Sequence, residues 1–152
     1  MKIRQFMAQD HRNCDLFFAK AESAAASNDW EAATHALDEF IHAMERHLDI
    51  EEQTLFPAFE RETGVLTGPT EMMRMEHDQM RTLFTEMKEA MEQQDSDEYL
   101  GVAETLLILM QQHNMKEEQI LYSMMDQRLA EDVDQWQDKF EAWTAVEQAD
   151  KV

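Results

Sequence analysis

The sequence of 152 residues predicts an all-α fold, an up-down-up-down four-helix bundle with an additional short C-terminal helix. Three observations carry that expectation. Only three Gly and two Pro interrupt the chain, and Ala, Glu, Gln, Met and Leu dominate where a sheet protein would need β-branched residues. Apolar residues recur at helical spacing along four long stretches. The two halves also repeat one another. The stretch His47-Leu48-Asp49-Ile50-Glu51-Glu52-Gln53-Thr54-Leu55-Phe56 returns as His113-Asn114-Met115-Lys116-Glu117-Glu118-Gln119-Ile120-Leu121-Tyr122. Partner histidines stand 36 residues upstream of each copy, at His11 and His77, and an offset of 66 carries Asp10-His11 onto Glu76-His77 and Phe18 onto Phe84. A duplicated helical hairpin constrains architecture more tightly than local propensity does.

The first helix is expected over residues 4–26, with Met7, His11, Cys14, Phe18 and Ala25 along one side. Ser27-Asn28-Asp29 ends it and supplies a cap for the next. The second helix spans 30–62, its stripe formed by Phe40, Met44, His47, Glu51 and Leu55. Pro57 removes a backbone donor inside that span, which predicts a kink or break just past the Glu. Residues 63–70 form the longest loop, with Gly64 as a helix stop. The third helix covers 71–93 and turns Met73, His77, Met80, Phe84, Met87 and Met91 inward. After the polar connection 94–97, the fourth covers 98–129, with Leu106, Leu109, His113, Glu117, Ile120 and Met124 facing the core. These helices make up a bundle domain, 1–130. The segment 131–152 is a C-terminal amphipathic helix carrying Val133, Trp136, Phe140 and Trp143 on one stripe. That stripe either packs across the bundle or forms the contact of a homodimer.

Each histidine lies about 16 to 18 residues from the turn of its own hairpin. At ~1.5 Å per residue all four sit ~25 Å from the turns, so antiparallel neighbours bring them to one level of the bundle. In His47…Glu51 and His113…Glu117 the i, i+4 spacing puts imidazole and carboxylate on the same helix face, about 40° apart. Four imidazoles and two carboxylates at one level are a metal-ligand set, and six ligands are too many for one tetrahedral zinc. They suit two ions, of iron, manganese or zinc. One arrangement places His11 and His113 on one ion and His47 and His77 on the other, with Glu51 and Glu117 bridging. A bridging oxide or hydroxide would then leave one octahedral position open on each ion.

The paired His-x-x-x-Glu-Glu-x-x-Leu-Phe/Tyr motifs, with Asp10-His11 and Glu76-His77, resemble the hemerythrin family in its His-His-Glu cation-binding branch. The resemblance covers roughly residues 7–128. It implies a non-haem di-iron centre in a four-helix bundle, with His11, His47, Glu51, His77, His113 and Glu117 as metal ligands. It further implies handling of O₂, nitric oxide or a related species, a gaseous or peroxide partner. Two positions depart from the oxygen-carrying members. Arg81 stands where those have a further histidine, and Glu117-Glu118 stand where they use an Asp. The set is a symmetric four-His version, closer to the iron-cluster repair proteins of the family. Three functions follow: binding or sensing O₂ or nitric oxide at an open iron position; redox or iron-delivery chemistry such as peroxide reduction or repair of iron–sulfur centres; and iron buffering or metal-gated partner binding.

The remaining features narrow the setting. A net charge of −20 opposes nucleic acid and anionic lipid as partners. No run of eighteen apolar residues predicts a membrane span, and a single Cys with no signal-like start makes the cytoplasm the expected address. Glu52 and Glu118 lie about 100° further round than the ligand Glu residues, as supporting or surface groups. His35 and His42 are expected on the surface. Arg81 either steadies an anion near the site or pairs with a bundle acid. Cys14 is either a thiol near the metals or an inert core residue. The thirteen Met serve mainly as core filling.

Overall fold

A computed structural model describes residues 1–130 and 133–150, with side chains placed for 1–130 and 135–145. Among the described residues there is no strand. The first hairpin is α1, Ile3–Ala26, and α2, Trp30–Ile50, which continues through a π-helical turn, Glu51–Leu55, into α3, Phe56–Thr63. The second is α4, Pro69–Glu92, and α5, Ser96–Lys116, continuing through a π-helical turn, Glu117–Leu121, into α6, Tyr122–Arg128. α1 packs on α2 and α5, and α4 packs on α5 and α2, closing the four-helix bundle. The helix limits fall within about two residues of the sequence expectation, the ordinary scatter of helix ends.

The repeat extends to the connections. Asn28 and Gln94, 66 positions apart, both adopt positive φ, at 57° and 53°. The next residue caps the following helix in both: Asp29 accepts from the Ala32 amide and Asp95 from the Glu98 amide. The longer loop leaves α3 through Gly64, whose φ of 72° is the left-handed conformation a helix stop requires.

The break in the second helix has a different cause from the one expected. Pro57 sits in the first turn of α3, where a missing donor costs little. The irregularity is the π turn, which starts at Glu51. Its copy starts at Glu117 in a helix that has Ser123 where the first has Pro57. A π turn inserts one residue into the helical register. This corrects one inward residue too. Ile120 is exposed, and Leu121 and Met125 are buried in its place.

Two apolar clusters fill the bundle. One, toward the hairpin turns, includes Phe18, Phe40, Phe84 and Leu106. The other includes Ile3, Met7, Leu55, Phe59 and Met125. The C-terminal helix α7, Val133–Asp150, lies over the second cluster. Trp136 and Phe140 are buried there, and Phe140 stacks on Phe6 with ring centroids 4.6 Å apart. Val133, the first residue of the predicted stripe, has its side chain outside the described ones. No helix among the described residues is long and apolar enough to cross a membrane.

Candidate metal centre

Between the two apolar clusters lies a polar layer. His11 on α1, His47 on α2, His77 on α4 and His113 on α5 are all buried, as are Glu51 and Glu117 at the first positions of the two π turns. Every sequence-predicted site residue is therefore in one place. Potential ligand atoms of Glu51, His77, His113 and Glu117 lie within 4.8 Å of one another, and those of His11, His47 and Glu117 form a second such group. The grouping differs from the one supposed above. Each hairpin contributes its own histidine pair, with ring centroids 4.6 Å apart for His11 and His47 and 5.0 Å for His77 and His113.

The carboxylates join the pairs. Glu51 Oε1 lies 3.5 Å from His47 Nε2 and 3.3 Å from His77 Nε2. Glu117 Oε1 lies 3.2 Å from both His11 Nε2 and His113 Nε2. All four imidazoles aim Nε2 at the centre because Nδ1 is held on the outside by an acid. His47 Nδ1 donates to Asp10 at 2.6 Å and His113 Nδ1 to Glu76 at 2.8 Å, each within one hairpin. His11 Nδ1 donates to Glu118 at 2.8 Å and His77 Nδ1 to Glu52 at 2.7 Å, each across to the other hairpin. An ionised carboxylate only accepts, so these bonds fix the tautomer that leaves Nε2 as the inner atom.

The outer acids are braced in turn. Arg81 donates to both oxygens of Glu52, at 2.9 and 3.0 Å, and to Glu45, while Lys116 donates to Glu76. Arg81 thus pairs with bundle acids rather than with the centre. His35 is exposed and pairs with Glu39, and His42 is exposed. Cys14 is buried in the apolar cluster toward the turns.

Two further residues belong to the centre. Tyr122 is fully buried, and its hydroxyl lies 2.9 Å from Glu51 Oε2, 3.0 Å from Glu117 Oε1, 3.2 Å from His11 Nε2 and 3.5 Å from His47 Nε2. Its counterpart under the offset, Phe56, stacks on His77 at 5.6 Å. In an unbroken α-helix a residue five places after Glu117 would point about 140° away from it. The π turn makes the Tyr122 amide donate to the Glu117 carbonyl, so the two residues sit one above the other. The helical period therefore hid Tyr122 and Phe56. Their alignment under the offset was the available signal.

The electrostatics of the layer follow from this packing of acids and imidazoles. Burial opposes charge on His11, but hydrogen bonds to Glu117 and Glu118 outweigh it and push its pKa up to about 10. His113 is pushed up to about 9 against the same burial, chiefly by the charge of Glu117. Burial, reinforced by the charge of Glu117, raises Glu51. Glu117 is held well below the usual carboxylate range, the charge of His113 and hydrogen bonds from its neighbours overcoming burial. Protonated imidazoles thus supply the positive charge that these buried acids need. Even so, Glu51 Oε1, His77 Nε2, His113 Nε2 and Glu117 Oε2 are buried without a hydrogen-bond partner. Orphaned buried polar atoms cost roughly 1–3 kcal/mol each. Here four of them face one another, as donor atoms around a cation do.

The family model for the hemerythrin HHE cation-binding domain matches residues 2–125. The chain belongs to the hemerythrin family. Comparison with curated proteins and with solved structures finds no match. The matched stretch of this hemerythrin domain runs from the start of α1 into α6 and contains the whole polar layer. The buried histidine–glutamate cluster is its candidate cation site.

Proposed function

We propose that this hemerythrin domain holds two iron ions and binds or senses a small diatomic ligand, O₂ or nitric oxide. His11 and His47 would hold one ion, His77 and His113 the other, and Glu51 and Glu117 would be shared between them. The observation that carries the reading is the set of four unpartnered buried donor atoms beside inward-facing imidazoles. A mixed nitrogen and carboxylate set suits iron, and it exceeds what a single tetrahedral ion takes up.

When bound, two irons would supply reversible or redox-linked attachment of a diatomic molecule at a coordination position the protein does not fill. The chain's own contribution is to orient and to exclude. Asp10, Glu52, Glu76 and Glu118 fix the ring planes through Nδ1. The apolar clusters on both sides keep bulk water away and exclude bulky substrates, since each of the six proposed ligands is at most 4% exposed. The single thiol, buried rather than bonded in a disulfide, agrees with a cytoplasmic address.

Metal analysis of the purified protein tests the first half. Two irons per chain are expected, with loss of iron in His47→Ala and Glu117→Ala and retention in His42→Ala. The second half is tested by exposing anaerobic diferrous protein to O₂ or nitric oxide. A spectral change that reverses when the gas is removed is expected. One metal per chain, or a spectrum indifferent to both gases, overturns the reading.

A further inference from the structure

The two halves of the centre are not equivalent, and the difference is one oxygen atom. We propose that Tyr122 Oη is itself a ligand of the ion held by His11 and His47. That ion would have five protein donors and its neighbour four, so an incoming small molecule attaches at the ion of His77 and His113. The proposal rests on the two-iron reading above.

Distance is the first ground. The hydroxyl oxygen stands 2.9 to 3.5 Å from Glu51 Oε2, Glu117 Oε1, His11 Nε2 and His47 Nε2. Ligands about 2.1 Å from a common octahedral ion are separated from their neighbours by about 3.0 Å along an edge. Tyr122 is therefore spaced from these four atoms as one vertex of a shared coordination shell is spaced from the others. Valence is the second ground. A phenol has one hydrogen to donate, and here two carboxylate oxygens and two imidazole nitrogens converge on it. The phenol oxygen can accept from a protonated imidazole, but its one hydrogen cannot reach both carboxylate oxygens at 2.9 and 3.0 Å, whereas one cation among these atoms would answer them all.

The third ground is the broken symmetry. The offset of 66 maps Tyr122 onto Phe56, which stacks on His77 and has no polar atom to give. The unpartnered donor atoms follow the same division. Glu51 Oε1, Glu117 Oε2, His77 Nε2 and His113 Nε2 lack a partner, whereas Glu51 Oε2, Glu117 Oε1 and His11 Nε2 have Tyr122 within hydrogen-bonding distance. One ion position is furnished with a phenol and the other is left with fewer donors. On ligation the phenol oxygen forms a bond to the ion, and its proton passes to the solvent buffer.

The test uses the full chain loaded anaerobically with two equivalents of ferrous iron and then oxidised with ferricyanide. A ferric phenolate absorbs visible light by charge transfer, and excitation into that band enhances tyrosine ring vibrations in the Raman spectrum. We expect this band in the unaltered chain. It should persist in Tyr99→Phe, the control for the one other tyrosine, and vanish in Tyr122→Phe while two irons per chain remain bound. Moving the phenol across the symmetry, in Phe56→Tyr with Tyr122→Phe, should restore a band. Protein that binds two irons with no such band, or a band that survives Tyr122→Phe, overturns this inference and leaves the two-iron reading standing. Protein that binds no iron overturns both. The spectrum of the unaltered chain decides the matter even where a variant fails to fold.

Discussion

Asp10→Asn and Glu118→Gln separate the charge of the outer acids from their shape. Asp10 and Glu118 perform the same task on the two histidines of one half-site, accepting from Nδ1 of His47 at 2.6 Å and of His11 at 2.8 Å. Each amide keeps an oxygen where the carboxylate had one, so the ring orientation can persist while the charge is lost. The distances are nearly equal, and the environments are not: the Asp10 side chain is 9% exposed and that of Glu118 is 32%. Solvent screens the second charge far more than the first. Loss of such a partner typically costs 10- to 100-fold in metal affinity. We expect Asp10→Asn near ~100-fold, about 2.7 kcal/mol, and Glu118→Gln near ~10-fold, about 1.4 kcal/mol. Competition against a chromophoric chelator measures both.

The metal-free protein gives an independent reading of the same charge. Burial alone would raise the Asp10 carboxyl, but the hydrogen bond and charge of His47 outweigh it and hold it below its ordinary value of 3.8. A carboxyl depressed on folding contributes stability above its unfolded value, and that contribution disappears as the pH falls through the folded one. Asp10→Asn should therefore flatten the acid side of the stability profile. Equal affinity losses in the two variants, or a larger loss at Glu118, would refute the reasoning that burial sets the strength of these contacts.

Three further outcomes are expected. Arg81→Ala frees Glu52, which holds His77, so metal affinity should fall up to about tenfold with two metals still bound, and stability should change by no more than about 1 kcal/mol because the guanidinium is partly exposed. Phe140→Ala should cost about 3–5 kcal/mol in a denaturant titration, since the ring is buried against Phe6, and leave metal stoichiometry unchanged. Metal uptake near neutral pH should release at least two protons, because His11 and His113 are pushed up to about 10 and 9 without metal, His77 is raised as well, and all three bind metal only as neutral rings. Apparent affinity should accordingly rise with pH up to that range, as measured by calorimetry in buffers of different ionisation enthalpy. A flat dependence between pH 7 and 9 would contradict it.

What the sequence made legible depended on how far each inference had to reach. The spacing His47…Glu51 and its copy required only one turn of helix, and equal distance from two short turns set the level of all four histidines. The outer acids needed more. Asp10 and Glu76 act within their hairpins, but Glu52 and Glu118 reach a histidine of the opposite hairpin, a contact that exists only once the halves dock. Tyr122 and Ile120 were out of reach for another reason. The π turns add a residue to the register just past each Glu, so a strict α period turns Tyr122 away from the centre and Ile120 toward it.

Charge balance in the layer connects the metal-free and metal-bound forms. Six carboxylates, Asp10, Glu51, Glu52, Glu76, Glu117 and Glu118, face four imidazoles, with Arg81 and Lys116 on two of the outer acids. Asp10, Glu51 and Glu117 are the buried ones among them, and buried charge is stable only if compensated. In the metal-free protein the imidazoles of His11 and His113, pushed up to about 10 and 9, supply part of that compensation, and ferrous ions would take their place. Oxidation to the ferric pair adds two positive charges that no fixed group in the layer offsets. Loss of a proton from Tyr122 would supply one of the compensating negative charges, beside the ion of His11 and His47. On that reasoning Tyr122→Phe should make the ferric state harder to reach, and a redox titration that found the potential lowered or unmoved would break the link between phenol and metal.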